Sequence, residues 1–92
     1  ISVIIASVSK YFNIDESLLR LKSKQQEIVH ARHTAMYLSK ELTSSSLQTI
    51  GAHFGGRNHA TVIHACKCIE EVINKDPSFK DKLEQIKEML LT

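Results

Sequence analysis

Two stretches of helical periodicity meet at a glycine pair, Gly55-Gly56, and that break limits the possible folds more than any other feature of this 92-residue chain. Before it, Leu47, Ile50, Gly51 and Phe54 recur at helical spacing, and Gly51 stands where a side chain would hold a crossing helix away. After it, Val62, Cys66, Ile69 and Ile73 form a second apolar stripe, which predicts a helix from about His59 to Asn74 with Asn58 as its cap. The pattern is a helix-turn-helix, although turns of this kind also join ordinary helix pairs. The stripe leaves Arg57, His59, Ala60, Thr61, His64 and Lys67 at the exposed N-terminal end and outer face, a surface without a carboxylate. A positive helix terminus flanked by Arg, His and Thr suits a polyanion, and the N-terminal residues of a recognition helix are the ones that reach base edges in a major groove.

The rest of the chain reads as helix too. Val3, Ile4, Val8 and Phe12 place a first helix at about Ile1 to Tyr11, ended by Asn13-Ile14-Asp15, and Asp15 can cap a short helix from Glu16 to Leu19. Leu21 to Gln25 is polar, basic and aperiodic, which predicts an exposed loop. Ile28, Ala31, Ala35, Leu38 and Leu42 form the inner stripe of a long helix from Gln26 to Leu42. Thr43 to Ser46 is a serine-rich turn offering N-caps to the helix that starts at Leu47. Asp76-Pro77-Ser78 breaks the chain and opens a last amphipathic helix through Phe79, Leu83, Ile86 and Leu90, with Pro77 at its first position. The expectation is an all-α domain of about five to six helices spanning residues 1–92, with no repeats and no second domain. The chain opens on Ile1 rather than on a methionine, so it is expected to be a domain of a larger protein.

Formal charge is only +2, but it is unevenly placed. From Leu18 to Lys67, Arg20, Lys22, Lys24, Arg32, Lys40, Arg57 and Lys67 face only Glu27 and Glu41, whereas from Cys68 onward four lysines meet six acids. The basic half coincides with the helix-turn-helix and the segment before it, which favours a nucleic-acid face backed by an acidic one. Arg32 and Lys40, two turns apart on the long helix, can hold phosphates.

Enzyme chemistry has little support. Cys66 and Cys68 are two apart and so point roughly 200° from each other on a helix, which prevents them from gripping one metal or bonding each other. Cys66 belongs to the apolar stripe, Cys68 lies at its edge, and two free thiols suit a reducing cytoplasm. His30 and His33 have a metal-sharing spacing but no third ligand nearby. Gly55-Gly56 lacks the Gly-Lys-Ser/Thr ending of a phosphate loop, and no activated nucleophile is suggested. The apolar run from Ile1 to Val8 is too short to cross a bilayer, and no targeting signal is visible. Neither catalysis, a metal nor a cofactor is expected in this segment.

Phe54-Gly-Gly-Arg-Asn-His-Ala-Thr-Val-Ile-His-Ala resembles the signature of the C-terminal DNA-binding domain of the bacterial chromosomal replication initiator DnaA, close to Phe-Gly-Gly-Arg-Asp-His-Ser/Thr-Thr-Val-Leu/Ile-His-Ala. Upstream, Arg32-His-Thr-Ala-Met-Tyr-Leu-Ser-Lys-Glu-Leu-Thr is similar to the family's Arg-Gln-x-Ala-Met-Tyr-Leu-x-Lys-Glu-Leu-Thr block, at the right distance. The resemblance implies a cytoplasmic, nucleoid-associated domain, monomeric in isolation, that binds the duplex DnaA box typified by TTATCCACA at the replication origin. ATP is then handled elsewhere in the parent protein, and regulatory proteins could dock on this domain. By the same resemblance Asn58, His59, Ala60 and Thr61 read bases or their surroundings in the major groove, Lys24 enters the minor groove, and Arg32, His33, Lys40 and Gln48 lie close to the backbone. The exposed basic loop makes sense of Lys24 independently, since narrow A·T-rich minor grooves attract cations.

Four positions depart from the family pattern. Asn58 replaces Asp, keeping a cap and an acceptor while adding a donor; Ala60 replaces Ser or Thr, keeping a methyl-sized contact for thymine. Lys24 and His33 replace Arg and Gln, and an ammonium cannot fork as a guanidinium does. Two rival readings of the chain are a helical repressor resembling the Trp repressor, against which the upstream block argues, and a helical protein-interaction module using the His-rich face.

Overall fold

The computed structural model describes residues 1–21 and 23–91, so Lys22, counted above in the basic half, lies outside the described residues. Six helices follow in order: α1 (Ser2–Phe12), α2 (Glu16–Arg20), α3 (Gln26–Leu42), α4 (Leu47–His53), α5 (His59–Lys75) and α6 (Pro77–Leu91). Among the described residues all regular structure is helical.

Local chemistry fixes the boundaries. Asn13 ends α1 in the left-handed conformation (φ 56°), which Asn tolerates better than most residues. The Asp15 carboxylate accepts the Ser17 amide at 2.9 Å to start α2. Ser46 Oγ accepts the Thr49 amide at 3.1 Å to start α4, and Asn58 Oδ1 accepts the Thr61 amide at 3.0 Å to start α5. Each cap satisfies one of the first amide groups that the helix itself leaves unpaired. Pro77 opens α6, where its missing N–H costs nothing.

The long helix α3 is the centre of the domain: α5 packs most extensively on it, and α1, α2 and α4 also lie against it. Ile28, Ala31, Ala35, Met36 and Leu38 of α3 meet Ile4, Ile5 and Val8 of α1, Leu19 of α2, Ile50 of α4, Phe54 of the turn, and Val62, Ala65, Cys66 and Ile69 of α5 in one core that Phe79, Leu83 and Ile86 of α6 close. Among its buried residues Ala31, Ala35 and Ala65 have the smallest side chains. His30 stacks against both Phe12 and Phe79, with ring centroids 5.7 and 5.1 Å away, so this histidine joins an aromatic cluster. Burial, and then Lys82, hold its pKa below the ordinary value, favouring the neutral ring that such packing needs.

Two stripe positions are corrected. Val3 is 66% exposed and Leu42 46% exposed, so neither faces inward. Both lie with Ile1, Leu90 and Leu91 around a shallow apolar depression where α1, α3 and α6 come together, at a rim where periodicity no longer guarantees a neighbour. In α1 the inward place expected of Val3 is taken by Ile5, which is wholly buried beside Ile4 and Val8.

Candidate nucleic-acid interface

The turn between α4 and α5 is built on backbone contacts that leave no room for side chains. A Cβ on Gly51 would stand 2.0 Å from the Arg57 carbonyl oxygen, because the Arg57 amide donates to the Gly51 carbonyl at 3.0 Å and folds the turn onto the helix. The obstacle at Gly51 is therefore the turn itself, with Val62 of α5 next at 3.6 Å. Gly55 and Gly56 both have positive φ (82° and 74°), which glycine adopts freely. A Cβ on Gly55 would also collide with the Arg20 carbonyl at 2.3 Å, whereas Gly56 faces open space.

This turn presents the first residues of α5 outward. Asn58, His59, Ala60 and His64 are exposed, while Thr61 is half-buried with its hydroxyl donating to Asn58 Oδ1 at 3.1 Å. The cap thus occupies Oδ1 of Asn58 and leaves Nδ2 as its outward donor. Lys67, expected on the exposed face, extends it, as does Ile63, which sequence reasoning did not single out. Alternation within an amphipathic helix was the available signal for Ile63, because it falls between the buried Val62 and the exposed His64.

On α3, His33 meets His64 of α5 edge to face, ring centroids 6.0 Å apart, while His64 Nε2 lies 3.4 Å from Cys68 Sγ. Burial pushes the His33 pKa down to about 4, and Arg32, His64, His30 and Arg57 push the same way. His33 is therefore neutral near pH 7 and sits in a locally positive field, which attracts an anion. Lys40 and Gln48 are exposed, on α3 and α4 respectively.

Three arginines depart from a simple reading as surface charge. Arg32 is only 7% exposed, and its Nη1 donates to the Leu21 carbonyl at 3.2 Å, with longer contacts from both Nη atoms to the Ser23 carbonyl. Arg57, expected on the open surface, is half-buried; its Nη1 donates to the Phe54 carbonyl and its Nη2 to the Leu21 carbonyl at 3.0 Å. Arg20 Nη1 donates to the His53 carbonyl at 2.8 Å. Apart from that of Ser23, which lies in the loop, the carbonyls involved belong to the ends of α2 and α4, where helices leave acceptors unpaired and carry partial negative charge. A guanidinium with five donors is the natural partner for several such oxygens at once. These bonds bring the loop that carries the exposed Lys24 against the turn that starts α5.

No group of three or more His, Cys, Asp or Glu side chains able to hold a metal occurs among the described residues. Cys66 is buried, which raises its thiol pKa, and Cys68 is half-buried. No described helix is long and apolar enough to cross a membrane.

Comparison with known proteins agrees with this geometry. The model of the bacterial DnaA protein helix-turn-helix matches residues 1–69, which contain the whole of α1 to α4 and α5 as far as Ile69. The chain is 48% identical over 84 residues to the chromosomal replication initiator protein DnaA of Chlorobaculum tepidum, covering 91% of this chain and 17% of that protein. It is 42% identical over 83 residues to the protein of that name from Enterococcus faecalis, covering 90% of this chain and 19% of the relative. With Porphyromonas gingivalis DnaA the identity is 39% over 84 residues, 91% of this chain and 18% of that protein. The chain thus spans less than a fifth of the length of these relatives, and it belongs to the bacterial DnaA helix-turn-helix family.

Proposed function

We propose that this domain binds duplex DNA sequence-specifically at DnaA boxes of the TTATCCACA type, and that it serves the initiation and regulation of chromosomal replication as the DNA-binding part of a larger initiator. The observation that carries the reading is the open start of α5. Asn58, His59 and Ala60 stand exposed at a capped helix N-terminus, and the loop bearing Lys24 is tied to the same turn. That arrangement supports a recognition helix in the major groove and a cation in the neighbouring minor groove. Asn58 Nδ2 is placed to donate to a base edge, Ala60 to meet a thymine methyl, and His59 to hydrogen-bond a base. Thr61 stands with them beside the base edges, while His33, Lys40 and Gln48 on the neighbouring helices and His64 farther along α5 contact the sugar-phosphate strand, the part of the interface that fixes register without reading sequence.

In this reading the domain works as a binding module rather than as an enzyme and needs no cofactor of its own. ATP is handled by other parts of the parent, the setting is the nucleoid, and regulatory proteins can dock on this domain. The test is a mobility-shift titration of a TTATCCACA duplex against a scrambled duplex at two salt concentrations, with His59→Ala alongside. The wild-type domain prefers the box and loses affinity steeply as salt rises. The variant loses ~1–3 kcal/mol on the box and almost nothing on the scrambled duplex. A domain that binds neither duplex is a protein-interaction module instead, and equal losses on both make His59 a structural residue.

A further inference from the structure

Leu21, at the end of α2, and Arg57, in the turn before α5, are 36 residues apart in the chain, yet one oxygen atom joins the two regions. The Leu21 carbonyl accepts from Arg57 Nη2 at 3.0 Å and from Arg32 Nη1 at 3.2 Å, which uses both lone pairs of a carbonyl. Arg57 simultaneously donates to the Phe54 carbonyl, three residues before itself, so its guanidinium bridges the end of α4 to the end of α2. Arg32 continues the chain of donors to Ser23, whose hydroxyl accepts the Gln25 amide at 3.2 Å. On the other side, Gly55 lies against the Arg20 carbonyl and Arg20 donates to the His53 carbonyl. Lys24 stands between Ser23 and Gln25, while Asn58 follows Arg57 directly.

We propose that Arg57 is a positioning residue: by bridging the Leu21 and Phe54 carbonyls it fixes the Lys24 loop relative to the start of α5, so that the loop and the helix meet DNA as one preorganised unit. The inference rests on the DNA-binding reading above for its consequence, and on the hydrogen bonds alone for its mechanism. A loop ordered in advance costs no ordering entropy when it binds, and that saving appears as affinity and as discrimination at the base pairs Lys24 meets. Arg32 and Arg57 converge on one acceptor despite their like charges, which lower the Arg32 pKa after burial has done so. Two cations held together in this way leave a positive field at the junction that a phosphate strand relieves.

Arg57→Lys keeps the charge and removes the fork. In the DNA-free protein, nitrogen-15 relaxation of Ser23, Lys24 and Gln25 then shows lower order, whereas the amides of α5 stay rigid. On the TTATCCACA duplex the variant loses about tenfold in affinity, ~1.4 kcal/mol. Added to Lys24→Ala, it costs nothing further, because a loop that has lost its reading group gains nothing from being held; the cycle isolates that coupling. An unchanged loop in the free protein overturns the proposal, and so does a tenfold loss that persists undiminished in the Lys24→Ala background, which marks Arg57 as a direct contact. If the wild-type domain fails to prefer the box, the functional reading falls, and the relaxation measurement still decides whether the bridge exists. Should Arg57→Lys fail to fold, Arg32→Lys removes the other donor to the same carbonyl and goes through the same measurements with the same two deciding outcomes.

Discussion

An amide rather than a carboxylate at position 58 changes what the start of α5 offers to an outside partner. Asn58 Oδ1 is engaged by the Thr61 amide and hydroxyl, so the group left outward is a donor where the family's usual Asp would present a second acceptor. Asn58→Asp keeps the cap and should leave stability within ~0.5 kcal/mol, while in competition binding against all four base pairs at the contacted position its preference moves toward one presenting a cytosine amino group. Loss of stability without any change of preference would confine Asn58 to capping. His33 makes a second residue-scale prediction. Its folded-state pKa of about 4 lies below its ordinary value of 6.5, so between those two pH values the unfolded chain holds a proton that the folded one refuses. The free domain is therefore expected to keep the full His33 contribution above pH 6.5 and to lose it progressively as the pH falls toward 4. Thermal melts across that window should slope less for His33→Gln than for the wild type; parallel slopes would place the pH dependence in His30 or elsewhere.

At the level of elements, the helix ends were legible because short-range chemistry writes them. Asp15 and Asn58 cap the helices they were expected to cap, Ser46 is the residue of the serine-rich turn that caps α4, Pro77 opens α6, and α5 runs one residue beyond its anticipated end. What sequence did not show is where the arginines turn. Arg32 and Arg57 read as surface charge, and only the folded chain brings the unpaired carbonyls of two distant helix ends to them. Val3 and Leu42 failed for the opposite reason, since apolar spacing marks a face but not whether anything covers its last turn. The glycines of the turn separate two kinds of constraint. Gly51→Ala must displace backbone at Arg57 and should cost ~2–3 kcal/mol, near the top of the range for forcing atoms into a packed site. Gly56→Ala meets no atom, and strain at its positive φ limits the cost to ~1 kcal/mol. Chemical denaturation of the two variants checks the order, and a larger loss at Gly56 would contradict it.

Across the whole molecule, charge is divided along one helix. Arg57 stands in the turn before α5, His59 opens the helix and Lys67 lies at its middle, while Glu70 and Glu71 follow on its exposed far half, and the acids of α6 lie beyond. On the proposed DNA-bound arrangement these carboxylates would repel a phosphate strand through the field alone. Neutralising both, as Glu70→Gln with Glu71→Gln, should raise affinity for every duplex alike at low salt. The gain should shrink toward nothing near 0.15 M, where the screening length is about 8 Å. A gain confined to the box would mean that these acids take part in reading it. The length of α5 has another use. Its 17 residues rise 1.5 Å each, about 25 Å in all, in a molecule measuring 30 × 29 × 27 Å. In the proposed complex this one rod would reach from the major groove to the far side of the domain. A spin label or fluorophore at exposed Lys75 would act as a pointer on that rod: a tilt of a few degrees at the base pairs moves it by one to two ångströms, so docking angles on different duplexes become distances read from the far side of the protein.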